Sequence, residues 1–383
     1  MNKIAKSLVL LFASSLLVVG VIYLAQAGAQ GQTAAKVAQA APASPDAPLI
    51  PPPTVVFTGL MRTDNLTTDV DIYSTTLNLN DPRLIGAVPD TSGAPGHVHY
   101  MQAVNEMLAL YSKNGVLLHE TTFASLWLSS TLPASSTACG IGENHHGQPY
   151  VVYDHLARRW VVADVAYANV QTGPYYICIA VSNGLPPPAP TITPTLTSPY
   201  FNSDYWYYYA ISTNYGNYHY YPDSPKMGMW GDGYYLSVDL YDVDSYGYHD
   251  TPRGVKVWAL NREDMIQGYE DTFRYVDYVL DEEWGYEHLL PSNLSGIPAP
   301  SNTPNYFAAI DQGRFYIWEF HADWNNLSFS TFGLGTTHSP NYTFDTDSAP
   351  LWANGYLIPE YTPGHAPEQV DAHGERLMSP LQY

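Results

Sequence analysis

The sequence predicts an all-β protein built as a propeller of about six to seven four-stranded blades, with an incomplete last blade as one alternative. Three observations lead there. Gln148-Pro-Tyr-Val-Val-Tyr-Asp-His-Leu-Ala-Arg-Arg-Trp-Val-Val-Ala163 holds two runs of β-branched and aromatic residues joined by a short polar turn at Asp154, the pattern of a hairpin. Tyr221-Pro-Asp-Ser-Pro-Lys-Met-Gly-Met-Trp-Gly-Asp-Gly-Tyr-Tyr-Leu236 reads as a second such arm. From Val55 onward no stretch keeps the 3.6-residue helical period for three turns.

The chain opens with Lys3 and Lys6, an apolar run from Ser7 to Leu24, and small residues at Ala25-Gln-Ala27 and Ala27-Gly-Ala29. Residues 1–27 are therefore expected to be a secretory signal peptide, with an uncleaved membrane anchor as the alternative. Residues 28–54 are rich in Ala, Pro and Gln and end in Leu49-Ile-Pro-Pro-Pro53. They carry too few large apolar groups for a core and are expected to be a flexible tether. Residues 55–383 then form one β-propeller domain, located outside the cytoplasm, secreted or in the envelope.

Strands are expected over His99–Val104 and Met107–Ser112, then across a Lys113-Asn-Gly115 turn whose Asn-Gly accepts positive φ at both central positions. Val116–His119 and the stretch closing at Leu126-Trp127 follow. A second unit comprises Tyr150–Tyr153, Trp160–Ala166 and Tyr175–Ser182. A third comprises Tyr205–Ser212, Met227–Trp230, Tyr234–Leu240 and Gly254–Leu260, and later strands cover Tyr306–Ile310 and Phe315–Phe320. Asn261-Arg-Glu-Asp-Met-Ile-Gln267 is the best short helix, stopped by Gly268. Two proline-rich stretches, Leu185–Pro199 and Ile297–Pro304, lack the backbone donors of central strands and are expected to be rim loops.

The formal net charge is −21, which repels phosphate backbones and argues against nucleic-acid binding. Charged residues make up only 13% of the chain, so Tyr, Asn, Ser and Thr must wet its surface. The only two cysteines, Cys139 and Cys178, are expected to form a disulfide in an oxidising compartment. A catalytic thiol fits less well, because Cys178 lies inside the buried-strand pattern Tyr175-Tyr-Ile-Cys-Ile-Ala-Val181.

The tyrosines, 33 against 11 phenylalanines, crowd into Tyr205-Trp-Tyr-Tyr-Tyr209 and Tyr215–Tyr221. Such rings either stack on sugars and proteins or serve as half-buried strand residues with one wet end. As a binding platform the candidates are Tyr205, Trp206, Tyr207, Tyr209, Asp232 and Tyr234.

The order of several motifs resembles a group of secreted bacterial β-propeller proteins of mostly unassigned function. In that group a Tyr-Asp-x-x-x-x-x-Trp hairpin precedes a Cys-Ile-Ala-Val-Ser strand, here Tyr153-Asp154 to Trp160 and Cys178–Ser182. The likeness continues through Tyr221-Pro-Asp223, Lys226, Trp230, Asp232-Gly-Tyr234, Leu260-Asn-Arg262 to Met265, and Gly374-Glu-Arg-Leu-Met378, covering most of residues 96–383. Where the group carries Gly-Asp-Pro before the hairpin, this chain has Gly147-Gln-Pro149, so a role for that carboxylate is not expected. The Leu185 proline loop lengthens a connection that is short in the group. Arg376-Leu-Met378 to Tyr383 looks like the opening of another blade.

Sugar-active propellers place carboxylates at a central opening, and Asp164, Asp232, Asp239, Glu319 and Asp323 are candidates, though no pair has a spacing that joins them. Asp239, Asp242 and Asp244 are the candidate metal ligands, with calcium as the possible ion. The run from Asp242 begins like a calcium loop but puts Arg253 where an EF-hand-type loop needs a bidentate Glu. His97 and His99 share a strand face, and His145-His146 lie near Glu143, yet none meets a zinc-motif spacing. No cofactor other than calcium is implied.

The expected function is non-catalytic binding of an extracellular glycan or protein through rim loops. A glycoside hydrolase or lyase on the same scaffold is the alternative, and a structural cell-surface component a second one.

Overall fold

The computed structural model describes residues 90–128, 137–184, 201, 203–245, 247, 249–281, 288–311, 314–334, 357–359 and 369–371. The chain divides into two units, Met1–Thr54 and Val55–Tyr383, and every described residue belongs to the second. The expected leader and tether lie outside the described residues, as do the whole Leu185–Pro199 loop and the Gly374–Met378 motif.

The described architecture is all-β, with four four-stranded antiparallel sheets in which neighbouring strands follow chain order. Sheet one contains β1 (Ser92–Pro95), β2 (His99–Val104), β3 (Met107–Ser112) and β4 (Leu117–Thr122). Sheet two contains β5 (Tyr150–Asp154), β6 (Arg159–Tyr167), β7 (Tyr175–Ser182) and β8 (Trp206–Ser212). Sheet three contains β9 (Tyr221–Met229), β10 (Gly233–Val243), β11 (His249–Asn261) and β12 (Tyr275–Leu280). Sheet four contains β13 (Leu290–Pro291), β14 (Asn305–Asp311), β15 (Arg314–His321) and β16 (Thr331–Leu334). A two-stranded pair, β17 (Leu357–Pro359) and β18 (Gln369–Asp371), completes the described strands.

Burial explains the residue choice. The middle strands β6, β7 and β10 are buried on both faces over most of their length, which demands near-continuous apolar runs such as Val161–Ala166 and Ile177–Val181. One core cluster joins sheets one and two through Met101, Leu110, Val162 and Cys178. A larger one runs from sheet two through sheet three to sheet four, including Val161, Tyr235, Trp258, Phe307 and Phe320. The sheets thus pack face to face in chain order. Their first strands are also neighbours, β1 beside β5, β5 beside β9, and β9 beside β13. At the last of these contacts Gly228 is essential, since a methyl group there would collide with the Ser292 backbone carbonyl.

Several expectations change. Trp206–Ser212 pairs with β7 as the outer strand of sheet two and does not open a third unit; the proline-rich Leu185 stretch separates two strands of one sheet. Phe123–Leu128 forms a short helix, α1, in place of a strand, and buries Phe123, Leu126 and Trp127. The Lys113-Asn-Gly115 turn exists, with positive φ at Gly115 alone, and a register shift at Leu110/Tyr111 absorbs the odd residue. The helix over Arg262–Gln267, α2, ends as its sequence dictates. The Asn261 side chain accepts from the Asp264 amide at 2.8 Å, and Gly268 closes it at φ 77°.

Cys139 and Cys178 form a disulfide with a Cα–Cα distance of 5.6 Å, joining the turn before sheet two to β7.

Candidate functional site

A cavity of about 770 Å³ lies where the first strands of the four sheets meet. Its lining includes Ser92–Pro95 of β1, Tyr150–Tyr153 of β5, Ser224–Met227 of β9 and Leu290 of β13. The volume falls within the range of about 300–1,000 Å³ common for small-molecule sites.

Four polar residues at its lip share one backbone property. Asp90, Gln148, Ser224 and His288 have φ of 40°, 53°, 50° and 58°, and all four line the cavity. Asp90, Gln148 and His288 each stand two residues before the first strand of their sheet. Ser224 lies inside β9, where the pairing with β10 slips between Ser237 and Asp239, so the bulge restarts the strand just after it. Every sheet therefore delivers one polar side chain from a left-handed residue at the same step of its architecture. Such backbone costs on the order of 1–3 kcal/mol and clusters at functional sites.

The side chains are tied together. Gln148 Nε2 donates to Asp223 Oδ1 at 2.9 Å and to the Tyr221 hydroxyl at 3.1 Å, while its Oε1 accepts from the Ser224 amide at 3.1 Å. Burial pushes the Asp90 carboxyl up to about 6; Asp223 adds to the rise and Lys226 opposes it. The Lys226 ammonium sits 5.7 Å from the centre of the Tyr150 ring, a cation–π distance. Tyr150 itself is pushed to about 12 by burial. His288 is clamped by Asp239, whose two oxygens accept from its backbone amide, at 2.7 Å, and from its Nδ1.

The amide at Gln148 has a physical consequence. A carboxylate there would face Asp223 with Asp90 close by; the amide turns that repulsion into a donor bond. Gln148 thus takes up a structural part in the lip.

The expected binding residues lie elsewhere. Tyr209 and Tyr234 are fully buried, with their hydroxyls donating to the Met265 carbonyl at 2.8 Å and to Asp154 at 2.7 Å. Trp206 is buried against Phe201, and Tyr205 and Tyr207 pack partly buried on the core. Asp232 accepts from Trp324 Nε1 at 3.0 Å and from the Tyr235 hydroxyl. Of these six, Trp206, Tyr209 and Tyr234 are buried, and Tyr205, Tyr207 and Asp232 are partly buried.

The expected metal ligands Asp239, Asp242 and Asp244 are not among the described groups of three close ligand atoms. Asp239 holds His288, Asp242 accepts from Arg253 Nε at 2.8 Å, and the Asp244 carbonyl accepts from the Gly247 amide. Among the described residues, the one group with metal-ligand proximity is His145, Asp164 and Cys178, all buried. Cys178 is in the disulfide and offers no thiolate. His145 instead bonds Asp164 at 2.6 Å and the Cys139 carbonyl at 2.9 Å, an internal brace for the bridge. Burial lowers the pKa of this imidazole, but Asp164 reverses that and leaves it raised. Of the remaining carboxylates, Glu319 pairs with His321 at 3.3 Å and Asp323 accepts from the Asn325 and Asn326 amides of its own turn.

Sequence reasoning singled out Gln148 and Lys226 for the resemblance and passed over Asp90, Ser224 and His288. Gln148 and Ser224 both precede a proline, which ordinarily holds a residue in extended backbone, so their left-handed φ was not readable from the sequence.

No family model, no curated protein and no solved structure matches the chain.

Proposed function

We propose that this chain is an extracytoplasmic β-propeller whose central cavity binds part of a carbohydrate without catalysis. In this reading the four sheets are blades, their first strands are the inner strands around the axis, and the cavity is the axial opening. The observation that carries it is the lip itself. Asp90, Gln148, Ser224 and His288, one from each sheet, present carboxyl, amide, hydroxyl and imidazole groups around one opening beside Tyr150 and Tyr153. Dense, varied hydrogen-bonding groups beside aromatic faces suit a polyhydroxylated ligand. The test is a glycan array with the full-length protein, with and without calcium, followed by calorimetry on each hit. We expect Gln148→Ala to weaken binding about tenfold, near 1.4 kcal/mol, with no new reducing ends. A hit that binds the variant as well as the parent protein would place its site away from the cavity.

The hydrolase reading keeps one supporting observation. Asp90 is driven toward its protonated form beside Asp223, while Asp223 accepts a bond from Gln148. A carboxyl held protonated beside a second carboxyl is one ingredient of a glycosidase's acid–base pair. Release of reducing sugar that disappears in Asp90→Asn would decide for catalysis.

A further inference from the structure

The connection from β8 to β9 carries aromatic side chains into solvent. Tyr215 and Tyr218 are 47% and 64% exposed, unlike the buried Trp206, Tyr208 and Tyr209 just before them. They face each other across a tight hairpin in which each backbone amide donates to the other's carbonyl, at 3.1 and 3.0 Å. Gly216, at φ 60°, makes that turn possible. Tyr218 is further braced by Tyr220, whose ring lies nearly parallel at 12° with centroids 5.8 Å apart, and Tyr220 packs on the core. At the base, His219 Nδ1 bonds Asn214 Oδ1 at 2.6 Å, and Lys256 Nζ donates to the Asn214 carbonyl at 2.6 Å.

This tip is fixed before any ligand arrives. Ordering a loose aromatic loop would cost on the order of 1 kcal/mol per side chain, and the hairpin bonds and the ring stack remove much of that cost. The tip also lies on the chain that enters the cavity. Tyr221 bonds Gln148, and Ser224 stands at the lip. Ser224 is six positions after Tyr218, so the tip is within about 20 Å of the opening even if the chain were fully extended. A ligand of several linked units can reach both.

We propose that Tyr215, Tyr218 and Tyr220 form an outer subsite for a neutral, pyranose-based oligosaccharide whose other end occupies the cavity. This rests on the carbohydrate reading of the cavity. Sugar rings present flat C–H faces that stack on exposed tyrosines, and their hydroxyls find donors and acceptors in the phenols, His219 and Asn214. A neutral chain suits a protein of net charge −21 better than a polyanion does.

The test compares ligand lengths. Binding of β-1,4-linked di- and hexasaccharides of glucose, N-acetylglucosamine, xylose and mannose is measured by calorimetry on the full-length protein. We expect one hexaose to bind at least tenfold tighter than its disaccharide. Tyr218→Ala should erase that gain and leave the disaccharide unchanged, Tyr218→Phe should keep most of the gain, and Gln148→Ala should weaken both lengths. Unchanged melting temperatures in the tyrosine variants verify the fold. A hexaose advantage that survives Tyr218→Ala combined with Tyr215→Ala, or no length advantage at all, overturns the outer subsite and leaves the cavity reading standing. If none of these sugars binds the parent protein, both fall.

Discussion

Arg262 sets its Nε 2.6 Å from Oδ2 of Asp154, across 108 residues of sequence and from the start of α2 to the end of β5. Its Nη2 reaches the other carboxylate oxygen at 3.1 Å, and the Tyr234 hydroxyl donates to Oδ2 at 2.7 Å. Asp154 also accepts from the Leu156 and Ala157 amides of its own hairpin turn. The carboxylate is fully buried and the guanidinium nearly so, which makes the pair costly to break from one side. Asp154→Ala should destabilise the protein by about 3–5 kcal/mol and Tyr234→Phe by about 1 kcal/mol. Chemical denaturation with a double-mutant cycle checks this; additive losses for Asp154 and Arg262 would show that the pair is not coupled.

The Asp90 carboxyl gives a pH signature. Its folded pKa is about 6 against an ordinary value of 3.8, so between those values the folded state holds a proton that the unfolded state has released. Stability associated with Asp90 is therefore present at about pH 4 and lost as the pH rises through 6. The loss is at most about 3 kcal/mol. Asp90→Asn should abolish that slope and raise the melting temperature near pH 7 relative to the parent. Equal pH profiles for the two proteins would refute the assignment.

Gln148→Glu would place a third carboxyl against Asp223 and close to Asp90. Its pKa should rise on burial beside like charge, so the variant should match the parent near pH 5 and lose about 1–3 kcal/mol near pH 8. Thermal melts at the two pH values measure the difference directly.

The Cys139–Cys178 bridge closes a sequence separation of 39 residues with both residues fully buried. Loop-closure entropy assigns it about 4 kcal/mol. A reductant alone should leave the native protein oxidised, and melts in the reductant should show a markedly lower midpoint. Rapid thiol labelling of the native protein kept in the reductant would contradict the burial.

Much of the fold was legible because the middle strands announce themselves. Val161–Ala166 and Ile177–Val181 have the β-branched runs that a doubly covered sheet requires, and Asn261 and Gly268 mark both ends of α2. The first strands were harder. Ser92-Gly-Ala-Pro95 has almost no β propensity, since its place is fixed by packing beside β5. Tyr205–Tyr209 misled because an alternating tyrosine strand looks the same from sequence whether its phenols meet sugar or, as at Tyr209, a buried carbonyl. Asp90, Ser224 and His288 share no residue type or spacing. Their common property is a backbone angle created by the turn into each sheet, and composition does not record it.

The left-handed residues at the lip also make the cavity unusually open to redesign. Asp90, Gln148 and His288 leave the backbone outside the strand that follows them, and Ser224 leaves it at the bulge in β9, so none of the four sits in a regular ladder pair. The backbone sets the permitted vocabulary: Gly, Asn and Asp enter at little cost, while β-branched residues are excluded. The polar character of the lip is thus written in four positions, one from each sheet.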